Sequence, residues 1–196
     1  MNKTVAADSI IRNHVLFAAG GGLIPIPFLD LATVTAIQLD MLKQLSELYE
    51  VTYNRSSGKL HLSALASSVL ARLGASAIKA IPGLGSLIGG VSMAIMSGAS
   101  TYAIGQVFVR HYEGGGSLND FDPEAYRDQY ESELEEGKAK TKEWKAEDEA
   151  AKKSPQKQDS QADKLAKLKE LGELKEAGVL TDKEFKEMKK KILEEF

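Results

Sequence analysis

Three histidines, one early aspartate beside two prolines, and two glycine-rich runs are the parts of this 196-residue chain that could carry chemistry. A histidine near a carboxylate suits general acid–base work or a metal, so spacing decides. His14, His61 and His111 fall on separate elements with no carboxylate at a catalytic or metal-ligand spacing, and they read as ordinary surface or interhelix histidines. The run Gly83 to Gly89, "GLGSLIG", has glycines that a dinucleotide loop would use, but it follows Pro82 instead of a strand and lacks the later acidic partner. Nothing matches Gly-x-x-x-x-Gly-Lys-Ser/Thr, the loop that wraps phosphates in backbone amides. The serines of "SALASS" and "SSGK" have neither a nucleophile elbow nor a Ser-x-x-Lys context. Asp30 lies in the first turn after Pro27, where the positive end of a helix favours an anion. Its plain reading is a helix start; the sharper one is a partner-facing or proton-linked carboxylate. The expectation is a protein that is not an enzyme, with no catalytic residue, cofactor or metal.

The other conspicuous residues are apolar ones in the wrong kind of place. "GGGLIPIPFLD", residues 20 to 30, has the glycine and proline density of a turn. Turns usually meet water, yet this one carries Leu23, Ile24, Ile26 and Phe28. A second such turn, "AIPGLG", brings Ile81 and Leu84, followed by Leu87 and Ile88. These eight are the expected contacts with a membrane or a partner.

The elements that must hold these turns form a weak internal repeat. Each unit runs helix, Gly/Pro turn, long helix; the long helices end in "LYE" and "HYE", and the polar loop "VTYNRSSGK" joins the units. Four helices arranged as two hairpins are predicted over residues 1–113. Projected at 100° per residue, the long helix of the first unit gathers Asp40, Lys43, Gln44 and Glu47 on one side and Leu31, Val34, Leu42, Leu45 and Tyr49 on the other. Gln38 falls inside the apolar arc. A buried amide without a partner costs about 1–3 kcal/mol, so Gln38 is expected to bond a neighbouring helix.

The second unit has no charged residue from Ala80 to Val109. Its pairs Gly85/Gly89, Ser86/Gly90 and Ala94/Gly98 fit the four-residue spacing that lets membrane helices approach closely. A span needs only about 20 apolar residues, so length permits one. Against spanning, residues 15–39 would carry Asp30, Pro25 and Pro27 into the bilayer, at ~2.5–3.5 kcal/mol for the aspartate. Shallow insertion of both tips into one leaflet is the favoured reading. A soluble bundle with protein-binding tips is the alternative, and an integral pore or transport component the more distant one.

Charge divides the chain further. Up to Arg110, eight Lys/Arg face five Asp/Glu; beyond it, 17 face 23. No basic stripe interleaved with aromatics appears, which argues against nucleic acid. There is no cysteine, in keeping with a reducing compartment, and "MNKTVAADSIIRNH" lacks the pattern of a secretory signal. Residues 114–161 read as an acidic, partly disordered spacer, with a helix from about Glu124 to Lys153 whose thin apolar edge is Tyr126, Tyr130, Leu134 and Trp144. Residues 162–196 then form a short hairpin. Leu165, Leu168, Leu171 and Leu174 line its first helix, Gly178 ends that helix, and Thr181 with Glu184 makes a capping box. Phe185, Met188 and Ile192 line the second helix. Two helices this short need a partner, and these seven residues are expected to mediate oligomerisation, with docking on the chain's own body as the plainer alternative.

Two resemblances add to this reading. "LKELGELKEAGVLTDKEF" resembles the SHOCT (short C-terminal) domain, a Leu-rich helix, small turn and Thr-x-x-Glu-Phe, which implies oligomerisation. Residues 8 to 113 resemble the family called domain of unknown function 697, through Pro25, Pro27, Asp30, Gln38 and Met41 and the later "AIPGLGSLIGG". That family is often fused to, or encoded beside, bacterial Era-like GTPases, so the resemblance implies a GTPase partner in trans. The combined expectation is an all-α, non-enzymatic adaptor, with membrane lipid and further copies of itself as partners. Its expected place is the cytoplasmic face of the inner membrane, or else the cytoplasm.

Overall fold

The computed structural model describes residues 3–20, 31–79, 93–153, 161–176, 178 and 182–194. Within them the chain is all-α, with seven helices: α1 (Lys3–Ala18), α2 (Leu31–Tyr49), α3 (Arg55–Lys79), α4 (Met93–Glu113), α5 (Arg127–Lys153), α6 (Gln161–Glu176) and α7 (Asp182–Glu194). The first four are the helices expected from the two units, but α3 begins at Arg55, inside the expected polar loop, and among the described residues it packs on α2 and α5. Local signals set several ends. Gly20 (φ 71°) closes α1, with its N–H donating to the Phe17 carbonyl. Asn54 caps α3 through its Oδ1, which accepts from the Ser57 N–H at 3.0 Å. Gly178 (φ 74°) follows α6, as the sequence predicts.

Two of the helices set the register of the bundle. Gln38 of α2 meets Ser100 and Thr101 of α4, Ser46 meets Tyr112, and Tyr49 donates to Glu113. The residue numbers rise together, so α2 and α4 run parallel. α1 is antiparallel to both. Its Lys3 pairs with Glu50, its His14 with Asp40, and its Ile11 side chain fills the space left by Gly105.

The main core takes Ile11 and Val15 from α1, Met41, Leu42 and Leu45 from α2, Leu62 and Leu65 from α3, and Ile104, Val107 and Phe108 from α4. α4 is the central helix, touching α1, α2 and α5. Its lack of charge up to Val109 therefore reflects burial on several sides, the condition under which a helix is apolar all round. Among the described residues no helix is long and apolar enough to cross a membrane. The two segments of the spanning reading, 15–39 and 80–109, lie partly outside the described residues.

The spacer expectation is corrected too. A helix does form where expected, but it is part of the body. Leu118, Phe121, Tyr130 and Leu134 are buried in the same core as α1–α4, with Tyr126 and Trp144 packed against it. The contact of α5 with α4 is the most extensive between any two helices. Small residues make it close. A Cβ at Gly137 would lie 2.8 Å from the Ala99 carbonyl oxygen, and one at Gly98 would overlap Thr141. So Gly98, read as one half of a membrane-type pair, serves packing against a charged, water-facing helix. The body runs to Lys153, not to residue 113.

Candidate functional site

The register of α2 and α4 decides where the two Gly/Pro segments begin and end. Seven residues separate Gln38 from Leu31, and seven or eight separate Ser100 and Thr101 from Met93. At 1.5 Å per residue both helices therefore start about 11 Å beyond the same polar contact. α1 finishes about one and a half turns short of this level, opposite Ala36, where Lys145 of α5 donates to the Ala19 carbonyl at 3.2 Å. One end of the bundle thus holds the last turn of α1 and the first turns of α2 and α4. The segment 21–30 spans between the first two, and the segment 80–92 leads into the third. The predicted contact residues Leu23, Ile24, Ile26, Phe28, Ile81, Leu84, Leu87 and Ile88 lie outside the described residues, as does Asp30.

Below this end sit two polar contacts. Gln38 is buried (6% exposed), and its Nε2 donates to Ser100 Oγ and Thr101 Oγ1, each at 3.3 Å. Ser100 Oγ is bonded in turn to Tyr130 Oη at 3.0 Å, so a single relay ties α2, α4 and α5. The second contact was not legible in sequence. Buried His14 (4% exposed) faces the Ile10 carbonyl with Nδ1 at 2.8 Å and Asp40 Oδ2 with Nε2 at 3.0 Å, while Gln44 Nε2 donates to the same oxygen at 2.8 Å. Burial pushes the Asp40 carboxyl up, but the hydrogen bond and charge of His14, with Gln44 and Lys43, outweigh it and hold Asp40 below its ordinary value.

The other histidines have structural partners as well. His61 Nε2 donates to the Leu118 carbonyl, and His111 bridges the Ser117 carbonyl and Tyr126 Oη. At the opposite end of the bundle, burial and the neighbouring Glu113 push the Tyr49 phenol up to about 12. Among the described residues no group of three or more His, Asp or Glu is placed to hold a metal ion.

A second apolar cluster lies just behind the end where α2 and α4 begin. Phe17 and Ala18 of α1 and Ala36 and Ile37 of α2 make a shelf, and the C-terminal hairpin covers it. Leu171, Leu174 and Ile192 are buried there, and Leu168, Phe185 and Met188 are partly buried. The side chain of Leu165 and the Thr181/Glu184 capping box lie outside the described residues. Six of the seven residues expected to mediate oligomerisation therefore face this chain's own body, which was the plainer alternative. Sequence could have flagged the shelf only weakly, since two of its members are alanines.

The geometry defines an all-α body with the starts of α2 and α4 together at one end and a short hairpin folded against its flank. This chain belongs to the family described as domain of unknown function (DUF697), whose model matches residues 3–135, from the start of α1 well into α5. Magnetosome membrane protein 22 of Magnetospirillum gryphiswaldense is similar to it, 38% identical over 156 residues that cover 77% of this chain and 80% of that protein. No solved structure matches.

Proposed function

We propose that this protein is a non-catalytic, membrane-associated adaptor that docks end-on by inserting both apolar Gly/Pro segments into one leaflet. The observation that carries the reading is the parallel, in-register pairing of α2 and α4, which brings 21–30 and 80–92 to the same end. Two apolar tips at one end can enter a single lipid surface together, and their contributions add. The name of the relative, a magnetosome membrane protein, supports a membrane partner. The hairpin's SHOCT-like motif supports a further role in self-association, for which its stripes would have to leave the shelf.

Sedimentation with phosphatidylcholine/phosphatidylglycerol vesicles tests the docking. Ile24→Asp with Phe28→Asp, and separately Leu84→Asp with Leu87→Asp, should each release the protein while helicity by circular dichroism is kept. Each aspartate adds up to ~2.5–3.5 kcal/mol to the cost of insertion, depending on depth. Unchanged sedimentation for both pairs would overturn the reading and transfer the tips to a protein partner such as a GTPase.

A further inference from the structure

We propose that the shelf under the C-terminal hairpin is itself part of the lipid-binding surface, and that hairpin and bilayer compete for it. This rests on the end-on docking just proposed and deepens it. Phe17 and Ala18 immediately precede the first apolar segment, and Ala36 and Ile37 lie within two turns of the start of α2. The shelf is therefore continuous with the inserting end, and a bilayer that receives residues 21–30 reaches it next. Apolar surface at the edge of an inserted tip gains by entering lipid.

The hairpin is seated so that it can give way. It is anchored at the shelf, where two of the four residues are alanines with little surface to offer. Further along α2 the fit fails. A cavity of about 430 Å³ separates α2 and the start of α3 from α6. Asp40 there pairs with His14, Glu47 with Lys43 and Glu173 with Lys169, so these charges are met on their own side of the gap. An apolar contact at one end of the hairpin and an open, acid-rich gap along the rest make a cover held by few interactions.

Competition predicts opposite effects from two full-length variants. Leu171→Asp with Ile192→Asp should undock the hairpin and raise binding to neutral phosphatidylcholine vesicles at least about threefold. Gly172→Ala should do the reverse. A Cβ there meets nothing within 4 Å, so its effect is to favour the helical hairpin by up to about 1 kcal/mol, which lowers vesicle binding by about threefold to fivefold. Docking is read independently by thiol labelling of Ala36→Cys, because the chain has no cysteine of its own. Labelling should quicken when this substitution is combined with the undocking pair, and in the otherwise unchanged chain when vesicles are added and then stripped by detergent during a pulse.

Unchanged vesicle binding in an undocked variant whose introduced thiol has become reactive would overturn the competition while leaving end-on docking intact. Unchanged reactivity of that thiol would overturn the covering role of the hairpin. Loss of binding in the tip variants alone bears on docking, so the two ideas fail separately. A rise in molecular mass without a rise in lipid binding would make a second copy the occupant and overturn the proposal.

Discussion

His14 meets a backbone carbonyl at one ring nitrogen and a carboxylate at the other. The contact ties α1 to α2, with the His14 ring buried and the Asp40 carboxylate a quarter exposed. The linked titration is that of Asp40, whose native value lies below 3.8. A depressed carboxyl contributes stability that is fully present above its unfolded value and is lost as pH falls through the native one. Denaturation at about pH 7 and at about pH 3 should therefore show a smaller acid loss in Asp40→Asn than in the parent. Equal losses would remove the pair from the acid response. Gln38 was legible because a 100° projection places it in an apolar arc whatever the partner. His14 was not, because its partner is 26 residues away on another helix and only the register of α1 against α2 brings them together.

At the scale of elements, the helices were legible and their neighbours were not. Periodicity and glycine punctuation sufficed for the existence of α1 to α4, but the polar residues 55–59 with Gly58, read as loop, lie in the first turns of α3. They could not say what α5 packs against. Its thin apolar edge, Tyr126, Tyr130, Leu134 and Trp144, was legible, but nothing in a few apolar residues among charged faces named α4 as their partner. The small residues of α4 misled for a related reason. Close helix approach uses the same glycines in lipid and in water, so their spacing reports distance between helices and not the solvent around them. Gly137 tests this. Its Cβ position is blocked by the Ala99 backbone, which cannot rotate away as a side chain would, so Gly137→Ala should cost about 1–3 kcal/mol in thermal or chemical unfolding. A neutral or stabilising result would show that α4 and α5 sit farther apart than described.

For the whole molecule, the boundary at Lys153 replaces the one the composition suggested at residue 113. A fragment of residues 1–113 lacks Leu118, Phe121, Tyr130 and Leu134 and leaves one side of α4 bare, so it should be aggregated or molten by circular dichroism and near-neutral gel filtration. A fragment of residues 1–153 should melt cooperatively, and a cooperative 1–113 fragment would restore α5 to the status of a tether. The same cover has a consequence for biosynthesis. During translation α4, which is uncharged up to Val109, emerges before α5, with 40 residues from Gly114 to Lys153 still to be made. At ~5–20 residues per second that interval lasts about 2–8 s, during which the nascent chain displays its least polar helix uncovered. Ribosomes near a lipid surface would present that helix to it before α5 arrives. The order of synthesis thus offers the growing chain a time-limited encounter with the membrane that the finished fold, with α4 sealed, no longer offers.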